Sequence, residues 1–516
     1  MDKHSQEIFS HKIVSITELK KKIKNIPRKN KVIMCHGTFD VVHPGHVRHL
    51  LYAKTKADIL IASLTADIHI NKGTLRPYVP ENLRAINLAA LEMVDYVIID
   101  KNPTPIQNIK RIQPDFFAKG YEYNPKEKNI KTDEEIKTIE SYGGEVIFTP
   151  GDIVYSSSAL INMSPPSIAT DKLINLINSE NITFEFLKKT INSLSHIKVH
   201  VIGDTIVDSF TQCSMAGGMT KTPTMSVKFE EKKDYVGGAG VVAKHLKAAG
   251  ANVTFTTMLG DDELKNFVLN DLKKFKVKVQ SVIDKTRPTT NKNAIIVSDY
   301  RLLKLDTLDN RVINHKILDK FEHLIKNTET DAVVFSDFRH GIFNKETIPT
   351  LTKAIPKKKF KVADSQVASR WGNILEFKGF DLITPNEREA RFSLGDQDSI
   401  LRPLALNLFK QSKVKTLILK CASRGVIGCR VNKNPSKVFF TIDSFTKNPK
   451  DPVGAGDALL AYSTLALIKT KNSVVSSIIG NLAAAVECEF DGNYPVTPDL
   501  ILKKLNALEK EANFEN

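Results

Sequence analysis

The feature that most narrows the fold of this chain is an alternation. Short apolar runs take turns with stretches of helical spacing, first across residues 32–165 and again from Lys198 onward. In the first tract KVIMCHGTFD, DILIASL, DYVIID and GGEVIFTP read as strands, while VRHLLYAKTKA and ENLRAINLAALEMV read as helices. In the second, KVHVIGDTIVD, DAVVFSD, FKVADS, GFDLITP and TLILKC are strand-like, and helical stretches follow Gly456. Strands alternating with helices imply βαβ units on parallel sheets, so the expected class is α/β. A chain of 516 residues exceeds what one core usually sustains, which calls for at least two domains. The pattern weakens at MSPPSIATD, with its Pro pair, and two helical stretches follow, DKLINLINS and TFEFLKKTINSLS. The expected division is a basic segment at 1–30, a domain at 31–165, a linker with helices at 166–195 and a second domain at 196–516.

Charge bounds the partners. Lys and Arg number 74 against 58 Asp and Glu, a formal net charge of +16. Residues 1–165 hold 23 basic and 19 acidic residues, so the excess is spread over the chain rather than gathered in a tail. The local cluster LKKKIKNIPRKNK (19–31) reads as an exposed amphipathic helix with a solvated basic face. A nucleic-acid surface would interleave basic residues with aromatics. Aromatics make up 7% of the chain with one Trp, Trp371, so no nucleic-acid partner is expected. No run approaches the roughly 18 apolar residues of a membrane span, and MDKHSQEIFSHKIVS lacks the apolar core of a secretory leader. The five cysteines are scattered without a C-x-x-C pair, which suggests neither disulfides nor zinc and points to a cytoplasmic location.

Two segments carry chemistry. In HGTFDVVHPGHVRHL (36–50) a small-residue turn, Gly37-Thr38, follows a strand, and His43-Pro44-Gly45-His46 opens a helix. N–H groups at a helix start favour phosphate, and two imidazoles three residues apart can both donate to its oxygens. In DPVGAGDALLAY (451–462), Gly454-Ala455-Gly456 makes a tight turn opening another helix, an anion hole for a transferring phosphoryl group. Asp457, just inside it, can accept a proton from a substrate hydroxyl.

The first segment resembles the G-T-F-D…H-x-G-H signature of the cytidylyltransferase-like superfamily. That likeness implies a Rossmann-like nucleotidyltransferase with His43 and His46 as catalytic groups and Gly37, Thr38 and Phe39 at the nucleotide. NKGTLRPYVPENLRAINLAALEMVDYVI (71–98) resembles the K-G-x-x-R-P region of sugar-phosphate members, which makes Lys72, Arg76 and Arg84 cationic candidates for phosphate oxygens. An ordinary helix-surface Arg is the lesser alternative for Arg84. Asp40 and Asp67 are candidates for positioning acceptor or ribose. PDFFAKGYEY (114–123) resembles P-D-x-x-x-K-G-x-x-Y and adds Lys119 and Gly120. Ser156, Ser157 and Ser158 stand where the family has a hydroxyl-rich helix start near the triphosphate, although the usual Thr is missing.

The second segment resembles the D-x-x-G-A-G-D signature of the PfkB/ribokinase family. Its fold would be a ribokinase-like α/β sandwich with a small β lid, and Asp457 would be the catalytic base. The likeness places Gly454, Ala455 and Gly456 at the phosphoryl group, and Asn386 and Glu389 of TPNEREA near a Mg²⁺–phosphate site through water. No direct metal ligation by side chains is implied. It also places Lys420, Ser423, Gly425 and Asn481 at the nucleotide, and Asp204, Asp208, Gly237, Gly238 and Lys292 at the sugar. Two departures stand out. Val241 (or Gly240) replaces a sugar-binding Asn in GGAGVVAKH, and Arg339-His340 stands where SDFRHG would carry Lys.

The two together resemble the bifunctional ADP-heptose synthase family in reversed domain order. The resemblance implies a sugar-phosphate kinase and a sugar-1-phosphate nucleotidyltransferase using Mg²⁺ and ATP, with CTP possible at the first site. It also implies sugar-phosphate partners, no membrane, and a homodimer through the kinase lid. The alternatives are a transferase making a CDP-sugar or CDP-polyol, and a kinase domain that only senses sugar phosphate.

Overall fold

Strand β1 (Val32–Gly37) explains why the first tract must be sandwiched between helices. Val32 and Met34 pack into one apolar cluster with Leu19, Ile23, Ile109 and Ile112, while Ile33 and Cys35 pack into another with Leu50, Ala53, Ala85 and Leu88. A strand apolar on both faces belongs inside a parallel sheet. The computed structural model describes residues 9–70, 76–120, 130–149, 169–216, 225–366, 372–446 and 449–514. It divides into two compact units, Met1–Ile177 with Glu511–Asn516, and Asn178–Lys510.

The first unit holds β1, β2 (Ile59–Thr65), β3 (Tyr96–Asp100), β4 (Phe116–Gly120) and β5 (Glu145–Thr149) in a parallel sheet of order β3-β2-β1-β4-β5. Its helices are α1 (Ile16–Ile23), α2 (Pro44–Lys54), α3 (Glu81–Ala89), α4 (Ile106–Ile112) and α5 (Ile130–Glu140). The order reverses between β1 and β4, and ligands of such sheets bind at the carboxyl ends beside that reversal. The basic segment is no appendage. Ser15 and Glu18 cap α1 reciprocally, Leu19 and Ile23 enter the core, and Arg28 pairs with Asp115 at 3.0 Å. Helix α3 stops at Ala89, short of its apolar pattern, and Asp95, just before β3, accepts the Leu60 N–H at 2.7 Å. PDFFAKGYEY, read from sequence only as a motif, contains β4.

Helices α6 (Ala169–Ser179) and α7 (Phe184–Asn192) precede the second unit's strands. That unit is built on β6 (Lys198–Gly203), β9 (Asn252–Leu259), β10 (Lys278–Ile283), β13 (Ala332–Asp337), β14 (Phe360–Ser365), β15 (Leu382–Ile383), β16 (Thr416–Lys420), β17 (Val426–Arg430) and β18 (Phe439–Ile442). They form one sheet, β10-β9-β6-β13-β14-β15-β16-β17-β18, antiparallel only around β17. KVHVIGDTIVD, which reads as one strand, is two. At Asp204 the chain leaves this sheet and enters a second of order β12-β11-β7-β8, made by β7 (Thr205–Met215), β8 (Val227–Gly238), β11 (Asn291–Val297) and β12 (Tyr300–Thr307). That small sheet is the lid. Helices α8 (Ala239–Ala248), α9 (Glu263–Lys274), α10 (His315–Asn327), α11 (Thr347–Ala354), α12 (Glu387–Leu394), α13 (Leu401–Ser412), α14 (Ala455–Thr470), α15 (Ser473–Glu487) and α16 (Pro498–Phe514) complete the order. Among the described residues no helix is long and apolar enough to cross a membrane.

Candidate active sites

In the first unit the site forms where β1 runs into α2. His43 is the N-cap of α2, and its Nδ1 accepts the Gly45 N–H at 3.1 Å, so Nε2 carries the hydrogen and donates outward. Only glycine fits at 45, because a Cβ would lie 2.9 Å from the His43 ring. The His43 and His46 rings are 3.9 Å apart between centroids. Burial first, then His43 and His49, push His46 down to about 4, and burial lowers His43 as well. Both are therefore neutral hydrogen-bond donors at neutral pH rather than cations.

Several neighbours do not stand where the sequence placed them. Phe39 is 4% exposed, with a left-handed backbone (φ 46°), and packs in the core. Its ring lies 5.2 Å from His46 and would meet a Cβ on Gly37 at 3.2 Å, so it supports the turn from beneath. Asp40 is 1% exposed, and its oxygens accept from Arg76 Nη1 (3.0 Å), Tyr78 N (2.9 Å) and Val79 N (2.8 Å). It organises the loop that presents Arg76, whose Nη2 has no partner among the described residues. Arg84 is neither a phosphate contact nor a surface residue. It is 0% exposed, and it donates to the carbonyls of Val79, Thr38 and Thr65 and to Asp67. Lys119, at the end of β4, is paired with Glu135. Lys72 and Ser156, Ser157 and Ser158 lie outside the described residues, as does Trp371.

Sequence reading missed two groups on this edge. His36 bonds Ser63 Oγ at 2.9 Å through Nδ1, and burial followed by Lys119 lowers it to about 4. His49 bonds Thr149 Oγ1 at 2.8 Å and ties α2 to the end of β5. A cue was available for His36, a polar residue at a strand's carboxyl end in an α/β pattern, whereas His49 lies within α2 and carries no such signal.

In the second unit, charged groups converge on the N-terminal turn of α14. Gly454, the N-cap, has φ 93°, which favours glycine, and Ala455, Gly456 and Asp457 follow it into the helix. Lys420, from the end of β16, reaches this turn. Its Nζ is 3.1 and 3.2 Å from the oxygens of Asp364 and would lie 3.3 Å from a Cβ on Gly456. Burial works against the lysine's charge, but Asp364, Glu389 and Asp457 outweigh it and hold its proton affinity above the ordinary value. Asp457 is pushed up to about 7 by burial and then by Asp364, against Lys420, with Glu389 and Asp208 adding to the rise. A carboxylate poised near neutrality suits general-base work. Asp364 was missed from sequence, although it sits at the carboxyl end of FKVADS.

Asn386 and Glu389 form a capping box at the start of α12. The Asn386 N–H donates to Glu389 at 2.7 Å, and the Glu389 N–H donates back at 2.9 Å. Their spacing is explained by this local geometry, which also holds Glu389 beside Lys420. Gly425, at φ 85°, closes the turn after β16, where a Cβ would strike the Ile442 carbonyl at 2.1 Å. Asn481 is 4% exposed and donates to the Asp443 carbonyl at 2.8 Å, so its amide holds the loop after β18.

The lid faces the same turn through its buried ends. Asp208 on β7 is in register with Lys292 on β11, and a Cβ on Gly237 would lie 2.1 Å from Asp208 Oδ2. Burial raises Asp208, offset by Lys292 and Lys304. Asp204 Oδ2 accepts the N–H groups of Phe338 (3.0 Å) and His340 (3.2 Å), and Oδ1 is buried with no partner among the described residues. Gly238 (φ 59°) brings β8 against the Asp204 carbonyl. Asp204 borders a pocket lined also by Thr205, Arg287, Thr290, Asp309 and His340. Both departures from the family pattern have structural counterparts. Arg339 is paired with Asp337 (2.8 Å) and Glu376 (2.6 Å), and Val241 is 3% exposed inside α8.

One unit thus sets Asp457 and Lys420 at a glycine-led helix start, and the other sets two neutral imidazoles at a helix start. The chain belongs to the pfkB family of carbohydrate kinases, whose family model matches residues 197–499. A cytidylyltransferase-like model matches residues 34–163. Among relatives, the bifunctional protein HldE of a Nitratiruptor species is 27% identical over 306 residues, covering 56% of this chain and 61% of that protein. HldE of Campylobacter fetus subsp. fetus is 28% identical over 302 residues, covering 56% and 62%. The aligned part thus spans about three fifths of these relatives' length. Phosphofructokinase-2 from Escherichia coli shares the fold with TM-score 0.51 and 17% identity, over 61% of this chain and 99% of that one.

Proposed function

We propose that the chain makes a nucleotide-activated sugar of the ADP-heptose kind for cell-surface glycans, by two transfers in the cytoplasm. In the second unit Asp457 takes the proton of a sugar-phosphate hydroxyl, which attacks the γ-phosphorus of ATP, while the Gly454–Asp457 turn and Lys420 hold the transferring group. Asp204, Asp208 and Lys292 orient the sugar, with Gly237 and Gly238 allowing the close approach of β8. In the first unit a sugar 1-phosphate attacks the α-phosphorus of a nucleoside triphosphate, and pyrophosphate leaves. The Nε2–H of His43, the His46 imidazole and the guanidinium of Arg76 stabilise the charge that develops there.

The observation that carries this reading is the convergence of Asp457, Lys420, Asp364 and Asp208 on one helix start. Bound Mg²⁺ would neutralise charge on the nucleotide's phosphates. Among the described residues no cluster of three or more His, Cys, Asp or Glu is arranged to hold a metal, and both Glu389 oxygens accept from Asn386. The fit is therefore to an ion held by phosphates and water, with Asn386 and Glu389 behind the water. The lid exposes Phe229, Tyr300, Leu303 and Leu305, an apolar surface suited to a second copy of the chain.

Purified protein, a panel of sugar phosphates, and ATP or CTP, read by mass spectrometry, test the proposal. A phosphorylated sugar and an ADP-sugar are expected. A CDP product in place of the ADP product would replace the nucleotide assignment, and binding of sugar phosphate without any turnover would overturn the enzyme reading. Light scattering checks the dimer.

A further inference from the structure

Glu487, the last residue of α15, has no part in the account above. It is 0% exposed, and neither carboxylate oxygen has a hydrogen-bond partner among the described residues. An ionised carboxylate in that state is strongly disfavoured, and such a group keeps its proton instead. Gly454 shows where the carboxyl points. A Cβ there would lie 2.5 Å from Glu487 Oε1 and 2.5 Å from Asn493 Oδ1. Since Gly454 is the N-cap of α14, the carboxyl group sits against the backbone of the anion hole itself.

Its electrostatic surroundings are acidic. Asp457 faces it from α14 and Asp451 from the loop before α14, and Cys488 follows it on its own chain. From the loop after α15, Asn493 presents an oxygen, and the Tyr494 N–H, which bonds the Gly492 carbonyl at 2.9 Å, works the other way by favouring the ionised carboxylate. Burial, then Asp457 and Asp451, push Glu487 up to about 9.

We propose that Glu487 is a positioning residue for phosphate binding in the kinase unit: protonated, it leaves the α14 anion hole open to the nucleotide's phosphates, and deprotonated, it sets a negative charge against that hole and weakens their binding. This rests on the reading of α14 as the kinase phosphate site.

Two measurements on the full chain test it. Infrared difference spectra between wild type and Glu487→Gln read the carboxyl directly. A protonated-carboxyl stretch present in wild type near neutral pH and lost in strong alkali supports the proposal, and its absence near neutrality overturns it. Calorimetric titration with ADP reads the consequence. Wild-type affinity falls about tenfold per pH unit once Glu487 ionises, while Glu487→Gln falls by less than about threefold over the same interval. Equal losses in the two proteins overturn the proposal and leave the kinase reading standing. Failure of wild type to bind ADP near neutral pH removes the kinase reading and this proposal with it.

Discussion

In the first unit the start of α2 carries two side chains, His43 and His46, that burial keeps uncharged. In the second the start of α14 offers the backbone N–H groups of the Gly454–Asp457 turn, joined by Lys420, which three carboxylates hold in its charged form. The first unit spends its most buried cation, Arg84, on tying loops together, whereas the second brings its cation to the helix start. Neutral imidazoles thus stand at one helix start, and a single lysine among several carboxylates stands at the other. The two sites should therefore differ most in how they respond to lost side chains and to pH.

The largest expected effect is on the acid cluster. Asp457→Asn should lower sugar-dependent ATP consumption by about 10²–10⁴-fold and leave pyrophosphate release by the first unit intact, as coupled assays on one preparation would show. Unchanged ATP consumption would remove the base from this side of the comparison. His46→Ala should lower pyrophosphate release by about 10²–10³-fold with the kinase reaction unaffected.

Arg84→Met tests whether the first unit's buried cation is structural. It leaves Asp67 and three carbonyls unpaired, and should destabilise that unit by about 3–5 kcal/mol in calorimetry without touching kinase turnover. The mildest effect is on pH dependence. Asp457 has a raised proton affinity and works deprotonated, so kinase activity should fall about tenfold per unit as pH drops below about 7. His46 stays neutral down to about 4 and burial lowers His43 too, so the transferase should lose less activity than the kinase between pH 7 and 6. Parallel profiles would show that the two sites do not differ in this way.

Much of both sites is visible in the sequence because it depends on local backbone geometry. Gly45 is needed by the His43 ring two residues away, and Gly454 by a left-handed turn, so short motifs report them directly. Asn386-x-x-Glu389 is visible for a second reason, since the spacing is also that of a reciprocal helix cap. Asp364 and Glu487 were passed over. Asp364 comes from a strand distant in sequence from α14, and Glu487 from the far end of the next helix, so no local motif joins either to the Gly454 turn. Arg84 was misread because helical spacing tells which residues share a face but not that a guanidinium will be enclosed by the carbonyls of Val79, Thr38 and Thr65.

The sequence by itself determined the α/β class, the alternation that builds two parallel sheets, and the two turns where phosphate chemistry is placed. These follow from periodicity and from the few residues that a tight turn tolerates. The tertiary structure alone decided the proton affinities: burial lowers the histidines in one unit, while in the other carboxylates hold Lys420 charged and burial raises Glu487. Proton affinity depends on desolvation and on charges within a few ångströms, and only the packing of distant segments brings those together.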